Sequence, residues 1–352
     1  MTAAIPTDAT LGLFSIHARP SGNLSPGPVP DAFHTALIAG AAGSALVQLS
    51  GVCRGKPVRI FPNQDHAAVA GEMASNPNRL FQVFGSPLFP IANRLRGPAG
   101  QANVLGKTIH FPLNHHGKLA DAEPHHLHGN LFSRTADSIR NGESEGEAFS
   151  TSVFHANKDG AWASELEVTV RHSLQNGSYT FEMTAENKGN ESVPVGFGAH
   201  PYFELPSGDP FRATLQIPAD RVAEIDNFDN VFPTGRWFPT ENSRFDFRTH
   251  SPLPGRGFDH FFHFDGRKGA RIELHDGAAG VAFRMTALTE NILGAQFYYP
   301  GTGSVFALEL VTHVPDPRVE TWGEEKTGMR LLNPGETETY AFSIEVYSIA
   351  KA

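Results

Sequence analysis

The sequence predicts an all-β protein, a large antiparallel β-sandwich, and three observations carry that expectation. Apolar and polar residues alternate with a period of two through many short runs, the pattern of strands with one dry and one wet face. The chain is rich in residues that pack on pleated sheets or make tight turns, with 27 Phe, 35 Gly and 26 Pro against 5 Met. Apolar spacing at the helical period is hard to find over any stretch longer than ten residues.

Taken in order, residues 1–35 are rich in Pro, Gly and Ser, and "RPSGNLSPGPVPD" holds neither a helix nor a central strand, because proline lacks the amide donor both need. We expect an extension lying along the surface there, followed by one continuous domain over 36–352. The run "ALIAGAAGSALVQL" from Ala36 to Leu49 is apolar but shorter than the roughly 20 residues of a membrane span. The start of the chain has no positive charge ahead of its short apolar "LGLF", so neither a signal peptide nor a membrane contact is expected, and a cytoplasmic location is.

The clearest element is "SELEVTVRHSLQNGSYTFEMTAENKG". Leu166, Val168 and Val170 alternate with charged and polar neighbours, and after Asn176-Gly177 so do Tyr179, Phe181, Met183 and Ala185. An Asn-Gly pair between two alternating runs predicts a hairpin. Further strands are expected at "ATLQIP", "ARIELHD", "VAFRMTAL", "AQFYYP", "SVFALELV" and "ETYAFSIEVYSI", each bounded by turn residues.

The formal net charge is −9, with no long Lys/Arg block, which excludes a phosphate-backbone footprint and hence a nucleic-acid partner. A single cysteine, Cys53, excludes an intrachain disulfide framework and fits a reducing compartment. A monomer or homodimer is expected.

Two residues stand out chemically. Glu309 lies mid-strand in "SVFALELV", where both faces are apolar; a carboxylate there is costly unless partnered, and desolvation moves it toward a general base. The alternative is a strand-end glutamate paired with an arginine. His200 in "GAHPYFELP" has an extended backbone imposed by Pro201 and aromatic neighbours, which suits either packing or proton transfer. Asp259 in "GFDHFFHFDG" is fit to accept from two sugar hydroxyls or to cap a turn. In "FPIANRLRG", Arg94 and Arg96 would donate to a ligand oxygen or neutralise acidic neighbours. The histidines of "NHHGKLADAEPHHLHGN" are expected mostly on an exposed loop. His126-x-His128 resembles the first ligands of a cupin, but no glutamate follows at the needed distance, so no catalytic metal is expected.

In order along the chain, "FPIANRLRG", "LHGN", "GAHPYF", "FDHFF", "FALELVTHVPDP" and "LNPGETETYAFSIEV" resemble the aldose 1-epimerase (galactose mutarotase-like) family. The resemblance implies a large twisted antiparallel β-sandwich with an open carbohydrate-binding face, a monosaccharide substrate of the glucose or galactose type, and no cofactor. It implies His200 as general acid and Glu309 as general base, with Arg94, His128 and Asp259 binding the sugar. Asn130 stands where many members have a second glycine. The readings kept beside it are a hexose-6-phosphate 1-epimerase of the same fold, which needs a cationic cluster such as Arg94 and Arg96, and a non-catalytic carbohydrate-binding protein.

Overall fold

The expected hairpin lies in the interior of the larger of the two main sheets. Leu166–Gln175 and Ser178–Asn187 pair with Gln175 opposite Ser178, and the turn residues Asn176 and Gly177 both take positive φ, at 52° and 79°. That is the turn geometry whose twist matches the strands it joins. The protein is described as a computed structural model covering residues 11–18, 30–144, 146–156, 164–264 and 268–351. Most of the Pro-rich "RPSGNLSPGPVPD" lies outside the described residues.

The larger sheet has nine antiparallel strands: Ser138–Ser144, Glu147–His155, Leu166–Gln175, Ser178–Asn187, Thr337–Ser348, Val281–Ala287, Arg271–Asp276, Ala213–Gln216 and Ser251–Pro252, neighbours in that order. The second sheet runs Pro233–Pro239, Arg221–Ile225, Phe258–His263, Gly294–Tyr299, Val305–Val311, Gly198–His200 and Ser86–Leu88, and Tyr202–Glu204 also pairs with Val305–Val311. The predicted all-β, antiparallel sandwich is the observed architecture.

The core lies between the sheets. Val168, Val170, Phe181, Met183 and Phe342 from one sheet share a buried cluster with Phe297, Phe306, Leu308 and Leu310 from the other. Each such side chain contributes about 1.5–3 kcal/mol by leaving water. One bond crosses the layers: the Tyr340 hydroxyl donates to the Leu310 carbonyl at 2.5 Å, next to Glu309 in sequence. The strand that carries Glu309 is thus fixed on its core side as well as at both edges.

Three features were not legible beforehand. The apolar Ala36–Leu49 stretch is parts of two strands, Ala32–Ala39 and Ala45–Cys53, which belong to a separate four-stranded sheet. Leu13–His17, inside the segment expected as an extension, pairs as that sheet's edge strand. Short α-helices occur at His66–Met73, where Asp65 caps the Ala67 and Ala68 amides, at Arg79–Val83 and at Val319–Trp322. None reaches the length at which a helical period can be read from sequence. Among the described residues, no helix is long and apolar enough to cross a membrane.

Candidate active site

Four neighbouring strands of the second sheet place a row of polar side chains on the face turned away from the main core. Gln296 lies opposite Glu309, Tyr298 opposite Ala307, Asp259 opposite Tyr298, and Gly198 opposite Val311. With a two-residue period, Glu309, Gln296, Tyr298, Asp259 and His200 all fall on one face, while Phe297, Leu308 and Leu310 point into the core.

At the centre of that row His200 Nε2 stands 3.2 Å from Glu309 Oε1, and the two side chains are only 7% and 2% exposed. Burial pushes the Glu309 carboxyl well above its ordinary range, with the negative charge of Asp259 adding to the effect, and pushes the His200 imidazole down to about 4. The other polar atoms of the pair, His200 Nδ1 and Glu309 Oε2, have no hydrogen-bond partner within the protein, and neither does the neighbouring Gln296 Oε1. Buried polar atoms are normally satisfied, so this concentration of free ones marks a surface shaped for a polar ligand.

The row continues outward. Gln296 Nε2 donates to Asp259 Oδ1 at 2.5 Å, and Arg94 Nη2 meets Asp259 Oδ2 at 3.2 Å. Arg94 Nε also donates to the Asn230 carbonyl, which aims the guanidinium. Its backbone is pinned by Asp316: the Asp316 amide donates to the Arg94 carbonyl, and the wholly buried Asp316 carboxylate accepts from the Arg96 amide, Arg318 and Thr321.

His128 arrives from a different element, the two-residue ribbon pairing Arg94–Leu95 with His126–Leu127. It holds φ at 66°, an unusual conformation for a residue with a side chain. Two contacts hold it there: its amide donates to the Asn93 carbonyl, and its Nδ1 donates to the Ala92 carbonyl at 2.9 Å. The Ala92 amide in turn donates to His313 Nε2 at 2.8 Å. With Nδ1 committed and burial holding the ring neutral, His128 turns an Nε2 lone pair toward the site. Its ring meets His200 edge to face at 5.1 Å, and Phe81 from the Arg79–Val83 helix packs behind both. Ligand atoms of His128, His200 and Glu309 lie within 4.8 Å of one another, so the same trio has the donor set of a His₂-carboxylate metal centre.

Gly129 completes the "LHG" turn. Its φ is 69°, and a Cβ there would lie 2.1 Å from the Phe89 carbonyl oxygen. Gly129→Ala is therefore expected to destabilise the fold by more than about 1 kcal/mol and to displace His128; a urea midpoint equal to wild type would contradict this.

The family model for aldose 1-epimerase matches residues 65–345. The chain belongs to the aldose 1-epimerase family. Among solved structures, it resembles a galactose mutarotase-like protein from Clostridium acetobutylicum at 15% identity and TM-score 0.75, covering 91% of this chain and 94% of that one. It resembles the galactose 1-epimerase of Lactobacillus acidophilus NCFM at 16% identity and TM-score 0.68, covering 96% and 99%. A GalM/aldose epimerase homologue from C. elegans gives 16% identity and TM-score 0.68, covering 91% and 97%. At such identities the likeness is one of fold. No curated protein matches the chain.

In this aldose 1-epimerase family chain, the five residues singled out from the sequence, Arg94, His128, His200, Asp259 and Glu309, converge. Arg96 does not join them: it pairs with both oxygens of Glu123, at 3.2 and 2.6 Å, and lies over the Phe232 ring. Gln296, His313 and Asp316 were missed, although "VTHVPDP" carries the last two. The expectation of an exposed histidine loop is overturned. His125, His126 and His128 are buried, His115 is half-buried, and of the five only His116 is exposed. The reason is local pairing and carbonyl acceptors: His115 and His125 exchange backbone bonds, and His125 and His126 donate Nδ1 to Glu123 and Pro112 carbonyls.

Burial of so many imidazoles has a consequence for acid stability. Burial holds His115, His125, His126, His172, His200, His260 and His313 at about 4 and pushes His128 well down, against an ordinary value of 6.5. Between those limits the unfolded chain binds more protons, so stability is full above pH 6.5 and is lost as the pH falls toward 4; Glu309, raised, acts in the opposite sense as one group against these eight. A loss of the order of several kcal/mol is expected across that window, read as a falling urea midpoint; a midpoint flat from pH 7 to 4.5 would contradict it.

Proposed function

We propose that the protein is an aldose 1-epimerase that interconverts the α and β anomers of an unphosphorylated hexose, with Glu309 as base and His200 as acid. The observation that carries this reading is the buried His200–Glu309 contact, set in a row of sugar-competent polar groups. The Glu309 carboxylate takes the proton of the anomeric hydroxyl while the His200 imidazolium protonates the ring oxygen, and the bond between anomeric carbon and ring oxygen breaks. The aldehyde rotates and the ring hydroxyl attacks its other face. His200 recovers its proton and Glu309 returns the other to the new anomeric hydroxyl.

The reacting ionisation is glutamate charged and histidine protonated, whereas burial favours both neutral. The two forms hold the same single proton and differ only by its transfer along the contact. Asp259 accepts from sugar hydroxyls and Arg94 donates to one. His128, neutral with its lone pair inward, accepts from a hydroxyl instead of stabilising an oxyanion.

Support for an unphosphorylated sugar comes from the arginines: Arg96 is neutralised by Glu123 and Arg94 by Asp259, which leaves that pair poorly suited to a phosphate. Polarimetry on freshly dissolved α-glucose and α-galactose, each against its 6-phosphate and with a chelator present, tests the reading. Acceleration of the free sugar, unaltered by the chelator, is expected; a rate no faster than buffer on all four sugars would refute it.

A further inference from the structure

On the nine-stranded sheet, facing away from the core, three other side chains converge. Glu273 and His275 share a face of Arg271–Asp276, since Ile272 and Leu274 between and beside them enter the core. His250 reaches them from the residue before the edge strand Ser251–Pro252. His250 Nε2 lies 3.3 Å and His275 Nε2 3.5 Å from the same atom, Glu273 Oε2. All three ligand atoms are within 4.8 Å of one another.

A tetrahedral zinc ion held at about 2.0–2.2 Å by nitrogen and oxygen ligands spaces those ligands about 3.3–3.6 Å apart. Two edges of the His250–Glu273–His275 triangle have that length. The carboxylate is also held from outside: Arg284 Nε donates to Glu273 Oε1 at 2.7 Å and the Tyr347 hydroxyl to Oε2 at 2.9 Å. Outer hydrogen bonds of this kind orient metal-binding carboxylates. Arg284 already balances the charge of Glu273, yet the two imidazoles stack with centroids 3.7 Å apart. So stacked, both rings direct Nε2 at the same carboxylate oxygen.

We propose that His250, Glu273 and His275 form a zinc-type divalent metal site with three protein ligands and a fourth position for water. Bound metal would clip the edge strand Ser251–Pro252 to the sheet interior. The test is calorimetric titration of Zn²⁺ into chelator-stripped protein. One equivalent is expected to bind and raise the melting temperature, with His250→Ala and His275→Ala each weakening binding by at least about tenfold while circular dichroism stays that of the wild type. Glu309→Gln is expected to keep the binding. Absence of a bound equivalent, binding undiminished in both histidine variants, or binding lost in Glu309→Gln in place of them would overturn the proposal.

Discussion

Glu309→Gln is expected to slow anomerisation by about 10²- to 10⁴-fold, the usual worth of a positioned acid or base. The amide matches the carboxyl in size and is able to donate to His200 Nε2 across the same 3.2 Å contact, so packing is retained. A buried ionisable group is also removed, and the melting temperature is expected to be unchanged or higher. Polarimetry and thermal unfolding on one preparation check both halves. Near-normal turnover would remove Glu309 from the chemistry, and a collapsed melting temperature would recast it as structural.

His200→Asn is expected to cost a similar factor, because the ring oxygen then leaves without a proton. The two variants are told apart by the pH dependence of what activity remains. In the wild type the pair keeps its single proton from the low value of His200, about 4, up to the raised value of Glu309, so turnover is flat between those two limits and falls on the acid side only when a second proton binds. Without His200, the residual rate rises with pH as the Glu309 carboxylate forms. Without Glu309, the residual rate falls with pH as the His200 imidazolium is lost. Residual rates that slope the same way in both variants would contradict the assignment.

How far the sequence revealed this site depended on whether a residue's meaning was local. Glu309 was visible because a charge inside "FALEL" violates the pattern around it, and the hairpin was visible because Asn176-Gly177 admits few other conformations. Gln296 breaks no pattern in "GAQFYY"; it matters only because strand register sets it beside Glu309 and Asp259, which come from distant parts of the chain. Arg94 and Arg96 looked equivalent as sequence. Two residues apart, they share one phase of the strand period, and only their partners tell them apart: Asp259 takes the first, and Glu123, which claims the second, belongs to a loop with no periodicity to read. The histidine cluster misled for a related reason: polar residues between strands resemble a solvated loop until their carbonyl acceptors are known.

The site is assembled from parts with different anchorage. His200 and Glu309 sit on strands hydrogen-bonded within the second sheet, and the Leu310 carbonyl is tied across the core to Tyr340. His128 and Arg94 depend on a two-residue ribbon and the loop contacts beside it. Amide hydrogens of Val305–Val311 are therefore expected to exchange through global unfolding, and those around His126–Leu127 through smaller local openings. Under the proposed function, the contacts of His128 and Arg94 to a sugar would loosen before His200 and Glu309 separate, so mild denaturant is expected to weaken affinity ahead of proton transfer.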